Sequence, residues 1–415
     1  MDRILDVFLS TLIKEGSLEI ETASGRRFTV GDGSPPTAAV RFRDPSAAYK
    51  LMLNPGLRFG ELFMNGQVEV TRGTIYEVLT IGSRNIRRFN KFVWLRMIER
   101  LRGALRRTKR NHIKQSQRNV AHHYDLDGGL YGLFLDQDRQ YSCAYFERGG
   151  ETLDEAQLAK KRHIAAKLLI EPGNRILDIG CGWGGMALYL AEICGANVTG
   201  ITLSKEQLAV AEKRLRDAGQ TTRAQFLLKD YREVDQRFDR IVSVGMFEHV
   251  GLGFYDVFFQ KIANMLDDNG VALIHTIGNA GTPAPTNPWV MKYIFPGGYI
   301  PSLSDIMPAI ERAGLILTDV EILRLHYAET LKQWRERFLA RRAEAEALYD
   351  ERFCRMWEFY LAAAESSFRY ESTVNFQLQV TKSLYAVPFT RDYIAACENE
   401  LRRRDSIAWG LRIAG

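Results

Sequence analysis

The feature that most constrains the fold of this chain is a glycine-rich turn that follows an apolar run. Residues 176–185 read Ile-Leu-Asp-Ile-Gly-Cys-Gly-Trp-Gly-Gly, and an apolar stretch continues over residues 186–191. The pattern predicts a strand, a tight turn and a helix in succession. Glycines let a ligand approach the backbone closely, and a helix N-terminus offers free N–H groups. In a doubly wound sheet such a turn lies at the carboxyl edge of the strands, where ligands bind.

The glycine spacing and the charge of this turn indicate which class of ligand it binds. Gly180, Gly182 and Gly184 are more tightly spaced than the dinucleotide fingerprint G-x-G-x-x-G, and no Lys-Ser/Thr pair follows to make a phosphate-binding loop. Asp178 would repel a pyrophosphate but suits a cationic ligand. The pattern resembles the first motif of class I S-adenosylmethionine-dependent methyltransferases, which indicates a methyl donor and leaves the acceptor open.

Strands and helices are predicted to alternate from residue 173 onward. The predicted strands are 175–180, 197–202, 224–230, 240–245 and 271–277, and the predicted helices are 185–194, 204–218 and 254–266. This alternation implies a parallel sheet with helices on both faces. Five prolines make 283–301 an irregular excursion, long enough for a lid or an insertion, and 329–369 is predicted to be mostly helical.

Polar side chains follow the second and third predicted strands. Thr202 and Gln207 offer hydrogen bonds to ribose hydroxyls, without the charge that an acidic residue would add. Asp230 offers a carboxylate to an adenine amino group, and Tyr231 offers an aromatic face beside it. Because these positions come at successive carboxyl ends of one sheet, we interpret them together with the glycine turn as one cofactor site.

Composition limits the broad class of the protein. The chain has 415 residues, 46% of them hydrophobic and 26% charged, which is ordinary for a soluble protein with one large and one smaller domain. Its five cysteines are scattered and lack metal-ligand spacing, so a reducing compartment without disulfides is expected. We find no signal peptide and no apolar run of about 18 residues, and we therefore expect a cytoplasmic protein without a membrane span.

A basic segment separates a small N-terminal region, 1–83, from the rest of the chain. Residues 84–118 contain thirteen Lys and Arg against one acidic residue, Glu99, with apolar residues recurring every three or four positions. The segment is typical of an amphipathic helix. Three interpretations stay open: an anionic bilayer surface, a structural linker with a solvated charged face, and nucleic acid, for which no recognition motif accompanies the charge.

Several segments taken together resemble the cyclopropane-fatty-acyl-phospholipid synthase family. They include HHYDL, YSCAYF, TLDEAQLAKK, LDIGCGWGG, VGMFEHVG, HTIG and KYIFPGGYIPS. The resemblance is strong over residues 115–400 and weaker over 1–90, and it extends to the mycolic acid cyclopropane synthases. It implies an α/β fold, a Rossmann-like class I methyltransferase sheet with helical lid insertions and a small α+β N-terminal domain. The implied domains are 1–83, 84–118 as a basic amphipathic linker, and 119–415 as the catalytic domain.

The resemblance also implies roles for individual residues. The residues implied to contact S-adenosylmethionine are Tyr141, Ser142, Asp178, Gly180, Cys181, Gly182, Gly184, Thr202, Leu203, Gln207, Asp230 and Tyr231. A bound bicarbonate ion would be the base, and the residues implied to hold it are Cys143, Glu248, His275, the backbone of Ile277, and Tyr327. Glu248 would share a proton with this ion or orient it, while His275 and Tyr327 would donate hydrogen bonds. His122, His123 and His249 are interpreted as structural, and Tyr124 as a residue bordering the acyl chain.

The implied reaction makes physical sense of these residue types. A cis alkene is a weak nucleophile, and its attack on a sulfonium methyl leaves a carbocation whose new methyl group must lose a proton to close a three-membered ring. The site therefore needs a dry apolar environment, negative or π-rich groups and a modest base. Some family members carry a cysteine in the late helical region, but residues 360–365 contain none, which excludes a covalent route through that position.

The expected function is transfer of a methylene group to the cis double bond of phospholipid acyl chains at the cytoplasmic membrane surface. Nucleic acid is not an expected partner, and a homodimer is left open. Two alternatives remain: a methyltransferase that yields methyl-branched or methylene acyl chains, and a lipid-binding protein with an inert core. An inert core would have no reason to keep Glu248 and His275 beside an intact cofactor turn.

Overall fold

The computed structural model describes residues 1–86 and 128–414. Most of the basic segment 84–118, together with His122, His123 and Tyr124, lies outside the described residues. Within the described residues, no helix combines the length and the apolar composition needed to span a bilayer.

The chain forms helices and strands in the following order. The elements up to residue 86 are α1 (Asp2–Leu12), β1 (Ser17–Glu21), β2 (Arg27–Gly31), β3 (Thr37–Phe42), α2 (Ala47–Leu53), α3 (Pro55–Met64), β4 (Val68–Arg72) and α4 (Ile75–Arg84). Those from residue 128 to residue 279 are α5 (Gly128–Phe134), α6 (Leu153–Lys167), β5 (Arg175–Ile179), α7 (Gly185–Glu192), β6 (Asn197–Thr202), α8 (Lys205–Asp217), β7 (Ala224–Leu228), β8 (Phe238–Val244), α9 (Tyr255–Met265) and β9 (Leu266–Asn279). The later elements are α10 (Pro288–Tyr293), α11 (Leu303–Arg312), β10 (Ile316–Leu323), α12 (His326–Ala340), α13 (Arg342–Leu348), α14 (Glu351–Tyr370), β11 (Thr373–Thr381) and α15 (Asp392–Ala414).

The described residues divide into two compact units. The first comprises 1–86, 284–296 and 328–373, and the second comprises 128–283, 297–327 and 374–414. The segments 284–296 and 328–373 thus group with the N-terminal residues, whereas the sequence analysis placed them in one domain with the rest of 119–415. The three-part division with boundaries near 83 and 118 remains a prediction.

The first unit contains a four-stranded sheet in the order β2-β1-β3-β4. Strand β1 pairs antiparallel with β2 and parallel with β3, and β3 pairs antiparallel with β4. An aromatic cluster links α10 to α14, with the rings of Trp289 and Phe359 4.6 Å apart. The indole packs so closely on Gly60 of α3 that a Cβ there would lie 2.5 Å from its nitrogen. The small α+β unit predicted near the N-terminus therefore also uses residues that come much later in the chain.

The second unit is built on a seven-stranded sheet in the order β10-β11-β9-β8-β5-β6-β7. Strands β5 to β9 run parallel to one another, while β10 pairs antiparallel with β11. From β5 the chain adds β6 and β7 on one side and then β8 and β9 on the other. The order therefore reverses at the boundary between β5 and β8, which is the point where ligands bind in doubly wound folds.

Side chains that alternate along β5 pack into two apolar layers. Leu177 and Ile179 belong to the layer that contains residues of α9 and α11, and Ile176 belongs to the layer that contains residues of α7 and α8. A strand buried on both faces is expected to be almost continuously apolar, as this one is. The predicted α/β fold with a Rossmann-like class I sheet is confirmed.

Two glycines of this sheet are required by packing. A Cβ on Gly200 of β6 would lie 2.6 Å from the ring of Phe226 in β7, and a Cβ on Gly184 would lie 2.7 Å from the same ring. Phe226 thus fills the space that both glycines leave open, which joins the start of α7 to the neighbouring strands.

We predict that Gly200→Ala lowers the free energy of unfolding by about 1–3 kcal/mol, because the extra methyl group overpacks the sheet against Phe226. The matched control is Gly253→Ala, where a Cβ has nothing within 4 Å, and where a change within about 0.5 kcal/mol is expected. Urea denaturation of both variants measures the difference. Equal effects at the two positions would contradict the packing explanation.

Candidate active site

A cavity lies at the carboxyl edge of the parallel strands in the second unit. Its walls come from the ends of β5, β6 and β8, from the turn after β7, and from residues 139–142. The cavity is lined by eleven of the twelve residues predicted to contact the cofactor: Tyr141, Ser142, Asp178, Gly180, Cys181, Gly182, Thr202, Leu203, Gln207, Asp230 and Tyr231. The sequence therefore located this cavity correctly, although the contacts of each residue with a cofactor remain predictions.

Gly184 is the predicted cofactor residue that is not part of this lining. It is the N-cap of α7, with φ of 85°, and a Cβ there would meet Phe226 and Ala211. The structure therefore gives Gly184 a role in packing and helix initiation.

Backbone conformation explains why the turn after β5 needs glycine. Gly180 and Gly182 have φ values of 80° and 53°, in the left-handed region that side chains disfavour. The N–H groups of Gly180 and Cys181 both donate to the carbonyl of Ile201, at 2.9 and 3.0 Å. The turn is thereby fixed to the end of β6 while its open side faces the cavity.

Asp178 gives the cavity a buried acidic group. Its side chain is 2% exposed, and within the described residues its Oδ2 atom has no hydrogen-bond partner. Burial raises the pKa of Asp178 to about 7, and the nearby Lys160 opposes this rise. A buried acceptor without a donor is costly. A cationic ligand such as S-adenosylmethionine would offset this cost, so the unsatisfied oxygen of Asp178 fits such a ligand.

The residues predicted for the ribose and the adenine already have partners. The Thr202 hydroxyl donates to Gln207 Oε1 at 2.9 Å, which leaves the amide nitrogen of Gln207 to donate. Asp230 accepts two hydrogen bonds from the Arg232 guanidinium, at 2.8 and 2.7 Å. The guanidinium also lies over the ring of Tyr231, 5.5 Å from its centroid. Arg232 therefore covers the carboxylate and the aromatic face that we assigned to adenine.

Glu248 lies in a short 3-10 helix just after β8, where it is buried. Its Oε1 atom accepts a hydrogen bond from the backbone N–H of Ile277 at 2.6 Å. Within the described residues, Oε2 has no hydrogen-bond partner. Burial raises the pKa of Glu248 to about 7, while the Ile277 N–H opposes the rise. The structure thus joins two members of the predicted catalytic set, and the free Oε2 is a position that a small protonated group such as bicarbonate fits.

His275, on β9, is fully buried beside two amide side chains of β11. Its Nε2 lies 3.0 Å from Asn375 Nδ2, and its Nδ1 lies 3.1 Å from Gln377 Nε2. Burial lowers the pKa of His275 well below its usual range, so the imidazole is neutral. A neutral imidazole accepts a hydrogen bond at one nitrogen and donates one at the other, so one of the two amides must present its oxygen to the ring N–H. Since both ring nitrogens are then engaged, His275 would have to leave an amide to donate the hydrogen bond implied by the resemblance.

The remaining members of the predicted catalytic set are also buried. The Cys143 thiol is 0% exposed and donates to the carbonyl of Ala144 at 3.3 Å. Burial raises its pKa, which keeps it a thiol and makes it a poor nucleophile. Tyr327 lies in the first turn of α12 and is 8% exposed.

Sequence reasoning missed several residues that line the cavity or support its wall. His249, interpreted as structural, lines the cavity, as do Arg139, Gln140 and Arg232. Arg232 was the most accessible of these to sequence reasoning, because a cation two residues after Asp230 can close a local ion pair. The sequence carries no comparable signal for Arg139, Gln140 and His249, since their positions depend on contacts with distant elements.

We predict that Glu248→Gln stabilises the fold at pH 8 by about 3 kcal/mol, because each unit of pKa corresponds to about 1.4 kcal/mol. The folded-state pKa lies above the unfolded one, so the stability contributed by Glu248 falls as pH rises from about 4.5 to about 7. At pH 5 the gain is expected to be below about 1 kcal/mol. Urea denaturation at both pH values measures it, with Glu311→Gln on the surface as the control. A gain that does not grow with pH would contradict the assignment.

Comparisons with known proteins agree with this geometry. The sequence profile described as mycolic acid cyclopropane synthetase matches residues 111–378. Cyclopropane-fatty-acyl-phospholipid synthase of Escherichia coli (strain K12) is 39% identical over 340 residues, which cover 81% of this chain and 86% of that protein. Tuberculostearic acid methyltransferase of Mycobacterium tuberculosis is 35% identical over 359 residues, which cover 82% of each chain.

A solved structure of mycolic acid cyclopropane synthase, complexed with SAH and CTAB, superimposes with a TM-score of 0.61 at 35% sequence identity. The match covers 64% of this chain and 97% of that one. The profile match spans more than half of the chain, and the relatives span most of it. The resemblance found in the motifs is therefore confirmed, and the chain belongs to the mycolic acid cyclopropane synthetase family.

Proposed function

We propose that this chain is a cyclopropane-fatty-acyl-phospholipid synthase, which uses S-adenosylmethionine to convert the cis double bond of a phospholipid acyl chain into a cyclopropane ring. The observation that carries the proposal is a buried Glu248 carboxylate with one free oxygen, one residue before His249 of the cavity lining, together with Asp178 of that lining, which also has a free oxygen. The relative from Escherichia coli supports the choice of phospholipid as substrate.

The proposed reaction adds one CH₂ to the acyl chain. When bound, S-adenosylmethionine supplies an electrophilic methyl group, and bicarbonate supplies a modest base. The π electrons of the alkene form a bond to the methyl carbon as the bond from that carbon to sulfur breaks. The new methyl group on the acyl carbocation then loses one proton, and its carbon closes the ring. S-adenosylhomocysteine and a proton are the other products.

We assign the binding of the cofactor to the residues that line the cavity. Asp178 faces the cationic part of the ligand, because a buried anion without a donor is stabilised by positive charge. The Gln207 amide donates to the ribose, and Asp230 and Tyr231 bind the adenine once Arg232 moves off them. Arg232 adds a planar cation that stacks on flat groups, which the sequence analysis did not foresee.

We assign the handling of the proton to Glu248. With a pKa of about 7, its carboxyl group holds or releases a proton at Oε2 near neutral pH, while Oε1 stays bonded to the Ile277 N–H. The neutral Cys143 thiol and the neutral His275 imidazole add polar surface without adding charge. Such a site does not trap the carbocation covalently, which leaves proton loss as the productive outcome.

We further propose that the chain associates with the surface of an anionic bilayer through the basic segment 84–118. The thirteen cations of this segment and its apolar stripe suit an interfacial helix. A phospholipid substrate favours the membrane over the linker and nucleic-acid interpretations, because the acyl chains are found there.

A second candidate product is a methylene or methyl-branched acyl chain that keeps one double bond. The 35% identical relative named tuberculostearic acid methyltransferase favours keeping this alternative. Both products arise from the same carbocation, and they differ in whether a hydride shift precedes the loss of the proton. Both also add CH₂, so NMR or fragmentation of the lipid product must distinguish them.

We predict that Glu248→Gln lowers turnover at least 100-fold, since positioned acid–base groups contribute about 10²–10⁴-fold. The affinity for S-adenosylhomocysteine, measured by calorimetry, is expected to stay within about threefold, because Gln keeps the acceptor for the Ile277 N–H. The assay uses vesicles with cis-monounsaturated phospholipid and a labelled methyl donor, and NMR identifies the ring.

Glu311→Gln serves as the control and should leave turnover unchanged. Full turnover in Glu248→Gln would contradict the role of Glu248. A well-folded wild-type protein that leaves the lipid unchanged would support the inert lipid-binding alternative instead.

We predict that binding to vesicles with anionic phospholipid weakens as salt increases, because charge attraction is screened beyond about 8–10 Å at physiological ionic strength. Replacing Arg106, Arg107, Lys109 and Arg110 by Gln should weaken binding in the same way, as measured by vesicle sedimentation. Replacing Arg403 and Arg404 of α15 by Gln is the control for a general loss of charge. Equal binding to neutral vesicles at every salt concentration would contradict the proposal.

A further inference from the structure

A buried lysine of α6 contacts the segment that forms one wall of the cavity. Lys160 is 0% exposed, and its ammonium donates hydrogen bonds to Gln140 Oε1 at 2.6 Å and to Ser142 Oγ at 2.9 Å. Within the part of the chain that the structure describes, Lys160 forms no ion pair. The two other lysines of this buried helix face differ, because Lys161 pairs with Asp138 at 2.7 Å and Lys167 pairs with Glu321.

Gln157, three residues earlier on the same face of α6, binds the backbone of the same segment. Its amide donates to the carbonyl oxygens of Gln140 and Ser142, at 3.2 and 3.0 Å. Residues 139–142 all line the cavity, and Arg139 has φ of 55°, a conformation that L-residues disfavour. This wall segment therefore contains a disfavoured conformation at Arg139 and is bonded to α6 at Gln140 and Ser142.

The sequence of α6 shows how these contacts are encoded. Thr152 and Glu155 form a capping box that starts the helix. Gln157 and Lys160 are three residues apart and so lie on one face, where both reach the wall segment. Residues 152–161, TLDEAQLAKK in the resemblance above, thus contain both the start of α6 and the two side chains that bind the wall segment.

We propose that Lys160 is a positioning residue of the active site, whose buried ammonium fixes residues 139–142 against the cofactor cavity and places a positive charge behind this wall. Burying an ammonium with no carboxylate within ion-pair distance is costly, so the polar contacts with Gln140 and Ser142, together with the charges of the nearby Asp136 and Asp138, must compensate for the loss of water.

The charge of Lys160 acts on Asp178, which lines the cavity, and on the buried Cys143. It opposes the rise in pKa that burial causes at both Asp178 and Cys143. Neither the neutral His275 nor the Cys143 thiol brings positive charge to this region. Here the inference rests on the proposed function: if an anion such as bicarbonate binds near Cys143, Lys160 is the buried cation placed to stabilise it.

The test compares Lys160→Met, which removes the charge and the hydrogen bonds, with Lys160→Arg, which keeps both. Lys161→Met is the matched control, because it removes a neighbouring lysine of the same helix whose partner, Asp138, is also held by Arg214. Three quantities are measured: the Kd for S-adenosylhomocysteine by calorimetry, hydrogen exchange of residues 139–142, and the bicarbonate concentration that gives half-maximal turnover.

We expect Lys160→Met to weaken S-adenosylhomocysteine binding at least tenfold, to speed exchange in 139–142 and to raise the half-maximal bicarbonate concentration. Lys160→Arg and Lys161→Met should each stay within about threefold of wild type in all three. Wild-type binding and exchange in Lys160→Met would overturn the proposal.

Two further results distinguish a failure of the role proposed for Lys160 from a failure of the proposed function. If Lys160→Met does not fold, Lys160→Arg decides, and a folded Lys160→Arg that fails to bind S-adenosylhomocysteine overturns the role of the ammonium. Ring formation by the wild-type protein is measured separately. Its absence contradicts the proposed function, whereas its presence alongside a wild-type-like Lys160→Met contradicts only the inference.

Discussion

The carbonyl oxygen of Ile201 accepts hydrogen bonds from two consecutive N–H groups, those of Gly180 and Cys181, and much of the second unit depends on this contact. It holds the end of β5 against the end of β6 and sets where α7 begins. The ring of Phe226 then fills the space left by the absent side chains of Gly184 and Gly200. The order of the strands reverses beside this turn, so the cavity opens where the backbone is most tightly defined.

Charge is expensive in and around this cavity, and the buried ionisable groups there reflect that cost. Burial raises the pKa of Asp178 and Glu248 to about 7 each and lowers that of Lys160 to about 8. Each of these groups therefore stands near the point where it gains or loses a proton at neutral pH. Such surroundings suit a reaction that passes through a carbocation. A carboxyl group that ionises readily can lose its proton and stabilise the positive charge without being strongly hydrated itself.

The sequence predicted those parts of the structure that depend on local patterns. The strands β5 to β8 and the helices between them follow the apolar periodicity closely, and α8 lies within the predicted helix 204–218 with Ser204 as its N-cap. Strand β9 begins at Leu266 rather than near residue 271, because the polar residues 267–270 hide its start. Contacts between distant elements were not predictable: the amides of β11 beside His275 and the lysine of α6 beside Ser142 required the fold itself.

The pair of amides from β11 has a consequence for how a proton can leave the site. Asn375 and Gln377 occupy both nitrogens of His275, so the ring cannot rotate or exchange its hydrogen without breaking one of these bonds. The imidazole is thus held in one orientation, which does not suit it to relay a proton. Of the buried groups considered for proton transfer, Glu248 retains an unoccupied oxygen. The proposed handling of the proton therefore falls to this carboxyl group and not to the imidazole.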